Sequence, residues 1–171
     1  MLYVILPMPT NIKDLKQKAL LNKKENHRFF EKLKKENNRV LDDVFHSLHQ
    51  EVFSLTNCLH CANCCKTTGP LFTVKDIERI AKHLKMKAGD FVQNYLHKDE
   101  DDDMVLNQLP CVFLKSDNTC RIYEVRPKAC KEYPHTDRKN MKEILNITYL
   151  NISVCPAVFD IVDKMKKQIK I

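Results

Sequence analysis

Cysteines are the residues of this 171-residue chain whose type and spacing are best suited to chemistry. A run of them begins at Cys58, and two residues separate each of its first three thiols. This spacing lets neighbouring sulfurs reach one ion while the intervening backbone amides point at the thiolates, as in zinc knuckles and bacterial ferredoxins. With the later cysteines, the chain has eight predicted metal ligands, which are Cys58, Cys61, Cys64, Cys65, Cys111, Cys120, Cys130 and Cys155.

Eight thiolates make two sets of four, so we expect one or two sites that hold zinc or an iron–sulfur cluster. Adjacent side chains diverge in most backbone conformations, which would assign Cys64 and Cys65 to different ions. One partition gives the first three cysteines of the run a distant fourth ligand in Cys155. Its second set is then Cys65, Cys111, Cys120 and Cys130, and the partition stays open at this point.

Charged residues beside the cysteines are expected to tune the thiolates. Four thiolates around one Zn²⁺ leave a net charge of −2, which nearby cations can offset while they lower the thiol pKa values. His60 and His135 are alternative ligands, but eight cysteines already suffice, and an exposed or supporting role is favoured for both. Because metal binding contributes folding free energy, we expect the metal-free chain to be poorly folded around residues 54–70 and 110–135. The predicted cations are Lys66, Arg121, Arg126, Lys128 and Lys131.

Composition argues against the two other roles for these thiols, namely disulfides and small buried apolar groups. Eight cysteines in 171 residues fall below the density of a disulfide-stapled mini-protein, and a chain of this length can bury a core without staples. No apolar run approaches the length of a membrane span, and the apolar residues 1–6 are too few for a signal peptide. We therefore predict a reducing cytoplasmic location, no membrane partner, and thiols that bind metal.

Apolar spacing and turn residues predict the elements that position the cysteines. Residues 11–53 have the pattern of one or two helices with a basic outer face, and another helix begins at Thr73 with Asp76 in its capping box. Two extended runs around the turn 115–118 predict a β-hairpin, and the acidic run 99–103 predicts a solvated loop. Short helices are expected around Phe91 and Cys130, and a last amphipathic helix after Pro156.

These elements add up to a mainly α fold with a small β-hairpin, in a single domain organised around the cysteine-ligated metal site or sites. Its predicted divisions are a basic helical arm (1–49), a cysteine-cluster metal-binding domain (50–160) and the C-terminal part of the last helix (161–171), packed on the same domain.

A distinctive combination of segments consists of 58–65, the helix from Thr73, Phe91 with Tyr95, 110–114, 120–134 and 155–156. Taken together, these segments resemble the YkgJ-type CxxCxxCC cysteine-cluster family, a zinc- or iron-chelating domain. The resemblance covers most of residues 50–160, and it implies a metal or iron–sulfur domain. Family members are often labelled iron–sulfur oxidoreductases, and a similar cluster occurs in longer flagellin lysine methylases. With two glycines in the whole chain, a Gly-rich nucleotide-binding loop is nearly excluded.

Three function classes follow, of which metal chelation through the eight thiolates is favoured. The first alternative is an iron–sulfur-dependent oxidoreductase or transferase with a redox or protein partner. No paired carboxylates or Ser/His/Asp arrangement predicts separate catalytic residues. The second alternative is a structural-zinc module whose basic residues 13–39 contact nucleic acid or an acidic protein. Nucleic acid is disfavoured, because the ten Lys and Arg of that segment are not interleaved with aromatic residues and no recognised DNA-binding motif accompanies them.

Overall fold

The computed structural model describes residues 11–169, and the apolar residues 1–6 lie outside that part. The chain divides into two compact units, unit 1 (Met1–Asn57 with Pro134–Ile171) and unit 2 (Cys58–Tyr133). In chain order the helices are α1 (Ile12–Leu21), α2 (Lys23–Leu33), α3 (Asn38–Phe53), α4 (Cys58–Cys61), α5 (Asn63–Thr67), α6 (Val74–His83), α7 (Ala88–Tyr95), α8 (Lys128–Glu132), α9 (Leu145–Asn151) and α10 (Pro156–Gln168). The strands are β1 (Leu96–Lys98) and β2 (Met104–Leu106). Two 3₁₀ turns span Tyr123–Val125 and Met141–Ile144.

Unit 1 is built on the packing of α3 against α10. Asn37 caps α3 through its side chain, and the helix buries a stripe that includes Phe45 and Leu48. Pro156 begins α10, where its missing N–H costs nothing, and Ile161 and Met165 are among the residues it buries. Both sets of side chains belong to one apolar core. The last amphipathic helix is therefore confirmed, while residues 11–53 form three helices rather than one or two.

Polar side chains of α3 hold the segment that precedes α9. Asp42 accepts hydrogen bonds of 2.8 Å from the backbone N–H groups of Asn140 and Met141. His46, one helical turn after Asp42, pairs with Asp137. His49 lies two turns after Asp42, and its Nδ1 is 2.8 Å from the Oγ1 of Thr136. These contacts fix an irregular segment against a regular helix.

Unit 2 has a core of its own, formed by α6, α7 and the strands that follow. The predicted capping box is confirmed, since Thr73 and Asp76 each bind the other's backbone N–H. Phe91 of α7 is fully buried, and its ring stacks on that of Phe113 with centroids 6.2 Å apart. Phe113 lies between Cys111 and Cys120, so the aromatic core supports the segment that carries both thiols.

The β-hairpin forms at a different place from the predicted one. Strands β1 and β2 pair antiparallel, with Leu96 opposite Leu106, so the acidic run is their connecting loop. The side chain of Asp99 accepts the backbone N–H groups of Asp101 and Asp103, which stabilises the turn despite the repulsion between like charges. In the predicted region, the runs around 115–118 share a single bridge between Leu114 and Cys120.

The fold class is mainly α with one small antiparallel sheet. The division into residues 1–49, 50–160 and 161–171 stays a prediction. Within residues 11–169, no single helix combines the length and the apolar composition needed to cross a membrane, although α9 with its preceding 3₁₀ turn and α10 pass that test when joined across a bend of 118°.

Candidate metal centre

The cysteine run folds as two short helices joined by one left-handed residue. Helix α4 begins at Cys58 and ends at Cys61, and Cys64 and Cys65 lie in α5. Ala62 separates the helices with a φ of 47°, a conformation that alanine rarely adopts, and its side chain is buried. Its N–H donates to the carbonyl of Cys58 over 2.8 Å. The break turns the chain within the motif, so that its thiols lie on two helical turns instead of one continuous helix.

The sulfurs of Cys64 and Cys65 lie 4.0 Å apart. The expectation that these adjacent side chains diverge is therefore wrong. In a tetrahedral site with Zn–S bonds of about 2.3 Å, two ligand sulfurs lie about 3.8 Å apart. The observed separation is consistent with both thiols facing one ion as well as with each facing a different one.

Cys65 interacts electrostatically with most of the other thiols in unit 2. A charge on Cys65 raises the pKa of four other thiols, which places all four within its electrostatic reach. The carbonyl of Cys65 also accepts a 2.8 Å hydrogen bond from the backbone N–H of Cys111. The four thiols on which Cys65 acts are Cys58, Cys111, Cys120 and Cys130. The cysteine run is thus joined to the later cysteines.

Burial keeps most of these thiols protonated. It is the largest cause of the raised pKa of Cys58, Cys111, Cys120 and Cys130, and for Cys130 the pKa reaches about 12. The pKa of Cys65 is also raised, first by its hydrogen bond with Cys64 and then by burial. Neighbouring thiolates raise these pKa values further, because like charges repel. A metal ion must therefore displace protons when it binds.

Backbone hydrogen bonds act on two of the later thiols. Those from Phe113 and Leu114 act on Cys111, and one from Ile122 acts on Cys120. Each of these hydrogen bonds lowers the pKa of its thiol, because it favours the thiolate. Amides that point at the thiolates of the cysteine run itself stay a prediction.

Three cations act on the thiols. Lys66 lowers the pKa of Cys65, Arg126 lowers those of Cys120 and Cys130, and Lys115 lowers that of Cys120. Lys66 and Arg126 are thus confirmed, whereas Lys115 was missed because it lies in the predicted turn of the hairpin. For Arg121, Lys128 and Lys131 the role stays a prediction.

Seven of the eight predicted ligands lie in unit 2, and all eight are free thiols. Cys155 lies in unit 1, where it precedes α10 and packs on that unit's core. Of the two histidines, His60 is exposed on α4, and His135 lies in unit 1. Among residues 11–169, no three Cys, His, Asp or Glu side chains already lie in an arrangement that holds a metal. The donors therefore fit zinc or iron by type.

Comparison with known proteins decides the family. A family model described as "CxxCxxCC: Putative zinc- or iron-chelating domain" matches residues 57–151, more than half of the chain. The chain belongs to this family. The matched CxxCxxCC domain includes seven of the cysteines and assigns metal chelation as the class of function, without separating zinc from iron.

A relative of the CxxCxxCC domain is an uncharacterized protein of Methanocaldococcus jannaschii, 32% identical over 97 residues. The alignment covers 54% of this chain and 51% of the relative, so the chain matches about half of the length of that protein. No solved structure matches the chain.

Asp76 of the CxxCxxCC domain makes a contact that its role in the helix cap does not predict. Asp76 was predicted from its spacing to Thr73 alone, but it also accepts a 3.1 Å hydrogen bond from the backbone N–H of Lys128. Burial would raise the pKa of Asp76, yet hydrogen bonds from Thr73, Arg79 and Lys128 outweigh burial and lower it. Asp76 is therefore a buried carboxylate that stays charged at neutral pH.

Proposed function

We propose that the CxxCxxCC domain binds metal through a four-thiolate set centred on Cys65, which Cys111, Cys120 and Cys130 complete. The observation that carries the proposal is that Cys65 lies within electrostatic reach of all three, while its carbonyl holds the backbone of Cys111. The backbone hydrogen bonds that act on Cys111 and Cys120 support it, since they favour thiolates before any metal arrives.

The other thiols make up a second donor set. Cys58 and Cys61 lie on α4, and Cys64 adjoins Cys65 with its sulfur 4.0 Å away, so Cys64 can serve either set. Cys155 lies in unit 1, and its role as a metal ligand is part of the proposal. All eight cysteines are thus assigned to metal, in one or two sites.

Zinc and an iron–sulfur cluster both accept four thiolates in tetrahedral geometry, so both remain within the proposal. Zinc would supply a structural crosslink, whereas an iron–sulfur cluster would supply electron transfer. In both cases Lys66, Lys115 and Arg126 offset the negative charge of the thiolates. The free thiols agree with a reducing cytoplasm, the location we propose.

An iron–sulfur oxidoreductase is the alternative, and it differs from a chelating protein in a measurable way. Only an iron–sulfur cluster gives a brown colour and a reversible reduction. A colourless protein that contains zinc supports chelation, while an iron- and sulfide-containing protein that accepts one electron reversibly supports the oxidoreductase.

Anaerobic purification followed by metal and sulfide quantification and a visible spectrum tests the proposed function. We expect at least one equivalent of zinc, or an iron–sulfur cluster with its absorption bands, per folded chain. A folded, fully reduced protein with well under one equivalent of any metal contradicts the proposal. Circular dichroism on the same sample verifies folding.

A further inference from the structure

Asp76 is a charged side chain with only 1% of its surface exposed, and both of its oxygens have partners. Oδ2 accepts the backbone N–H of Thr73 at 3.0 Å and the Thr73 hydroxyl at 2.7 Å, which are bonds within the cap of α6. Oδ1 accepts Nη2 of Arg79 at 2.5 Å and the backbone N–H of Lys128 at 3.1 Å. A helix cap uses only the first oxygen, so the second oxygen has a different role.

Arg79 continues the connection. Its Nη2 also donates to the carbonyl of Arg126 over 2.9 Å. The carboxylate and the guanidinium thus bind the backbone at 126 and at 128, on both sides of the buried Pro127. Both contacts join residues about fifty positions apart in the chain, so they hold together two segments of unit 2 that have no local reason to meet.

The segment held in this way carries one thiol of the proposed set, Cys130, and the cation Arg126 that acts on it. Lys128 is the first residue of α8, and Cys130 lies one half-turn later on that helix. Arg126 stacks on Tyr123, with its guanidinium carbon 3.8 Å from the ring centroid, and its Nη1 donates to the Tyr123 carbonyl at 2.8 Å. From there its charge acts on Cys120 and Cys130.

We infer that Asp76 and Arg79 are positioning residues of the metal centre, which hold Cys130 and the Arg126 cation in place for the ion. This inference rests on the proposed function. Neither residue touches a thiol, and each acts through the backbone of 126–128. A buried carboxylate that lost one of its partners would be costly, and this makes the arrangement rigid. Supporting residues of this kind typically change metal affinity when they are mutated.

Binding of Co²⁺ to the full-length protein tests the inference, because cobalt reports thiolate coordination by its visible absorption. The variant Arg79→Met removes the contact to the Arg126 carbonyl and the ion pair with Asp76, and it leaves the Thr73–Asp76 cap intact. We expect it to lower the affinity for Co²⁺ by about 10- to 100-fold and to alter the cobalt bands. Asp76→Asn should act in the same direction, and Arg79→Lys, which keeps a cationic donor, should restore part of the affinity.

Thr73→Ala is the matched control, because it weakens the cap of α6 without touching Oδ1 of Asp76. It should lower the melting temperature by about a few degrees and leave cobalt affinity within about twofold. If Thr73→Ala and Arg79→Met lower affinity equally, or if Arg79→Met binds like the unmodified protein, the inference is overturned.

A folding control completes the design. If Arg79→Met does not fold, Arg79→Lys takes its place, and its cobalt spectrum must then differ from that of the unmodified protein for the inference to stand. The two proposals fail separately. An unmodified protein that binds no Co²⁺ through thiolates contradicts the proposed function, whereas normal binding by both the unmodified protein and the Arg79 variants contradicts the positioning role alone.

Discussion

The backbone N–H of Cys111 donates a 2.8 Å hydrogen bond to the carbonyl of Cys65. This bond joins the cysteine run to the segment that carries Cys111 and Cys120, and a second one runs from the Asn118 side-chain amide to the carbonyl of Leu59 over 2.8 Å. Because a charge on Cys65 also reaches Cys130, the thiols from three separate parts of the chain form one electrostatic group. The predictions below depend on that group.

Replacement of Cys65 by serine should disrupt the proposed four-thiolate set. Changes to residues that only support a ligand already cost 10- to 100-fold in metal affinity, so loss of a ligand should cost more than about 100-fold. Titration with zinc or cobalt in the presence of a competing chelator measures the metal affinity. Thr67→Ser, in the same helix, is the control, and it should bind metal normally. Unchanged affinity in Cys65→Ser would exclude Cys65 as a ligand.

Metal affinity should rise with pH. The pKa values of Cys65, Cys111, Cys120 and Cys130 are raised, so these thiols are protonated in the metal-free chain at neutral pH. Acid favours the metal-free form, and each thiol that binds must release its proton. We expect about four protons per ion, measured with an indicator dye as Zn²⁺ is added in weak buffer. Zinc binding without proton release would show that the thiols are not the ligands.

Removal of metal by a chelator, with thiols kept reduced, should loosen the cysteine segments selectively. Amide hydrogen exchange should speed up in residues 58–67 and 111–133, because bound metal contributes folding free energy there. Helices α3 and α10 of unit 1 are an internal control, since an apolar core of their own holds them. Equal exchange with and without metal in the cysteine segments would contradict a metal centre in unit 2.

Phe91→Ala should destabilise the part of unit 2 that supports Cys111 and Cys120. The Phe91 ring is fully buried and contacts Phe113 and Tyr95, with centroids 6.2 and 5.2 Å away. Loss of a buried phenylalanine costs about 3–5 kcal/mol of unfolding free energy, which chemical denaturation measures. Val74→Ala is the control, because Val74 is 71% exposed, and the expected change is below about 0.5 kcal/mol. A similar loss from both variants would show that Phe91 is not a core residue.

Local signals in the sequence were sufficient to predict several of the helices. The cap of α6 needs only Thr73 and Asp76, three residues apart, and α10 needs only its proline and its apolar stripe. Such features arise within one or two helical turns, so the residues that form them are neighbours in the sequence. The hairpin was misplaced because its loop is stabilised by Asp99, whose side chain offsets the repulsion within the acidic run.

The metal centre was predictable in type and not in arrangement. Cysteine spacing indicated thiolate ligands, but the 4.0 Å separation of the Cys64 and Cys65 sulfurs differs from the divergence expected of adjacent side chains. Contacts such as Asp76 to Lys128 join residues 52 positions apart, and no local pattern encodes them. They arise only when the core of unit 2 brings α6 and α8 together.

Alkylation of the cysteines with and without bound metal, read by mass spectrometry, tests the central claim most directly. The account predicts that Cys65, Cys111, Cys120 and Cys130 are protected together in the metal-loaded protein and become reactive together when a chelator removes the ion. Reaction of these four at the same rates in both states, or their recovery as disulfides from anaerobically purified protein, would contradict it.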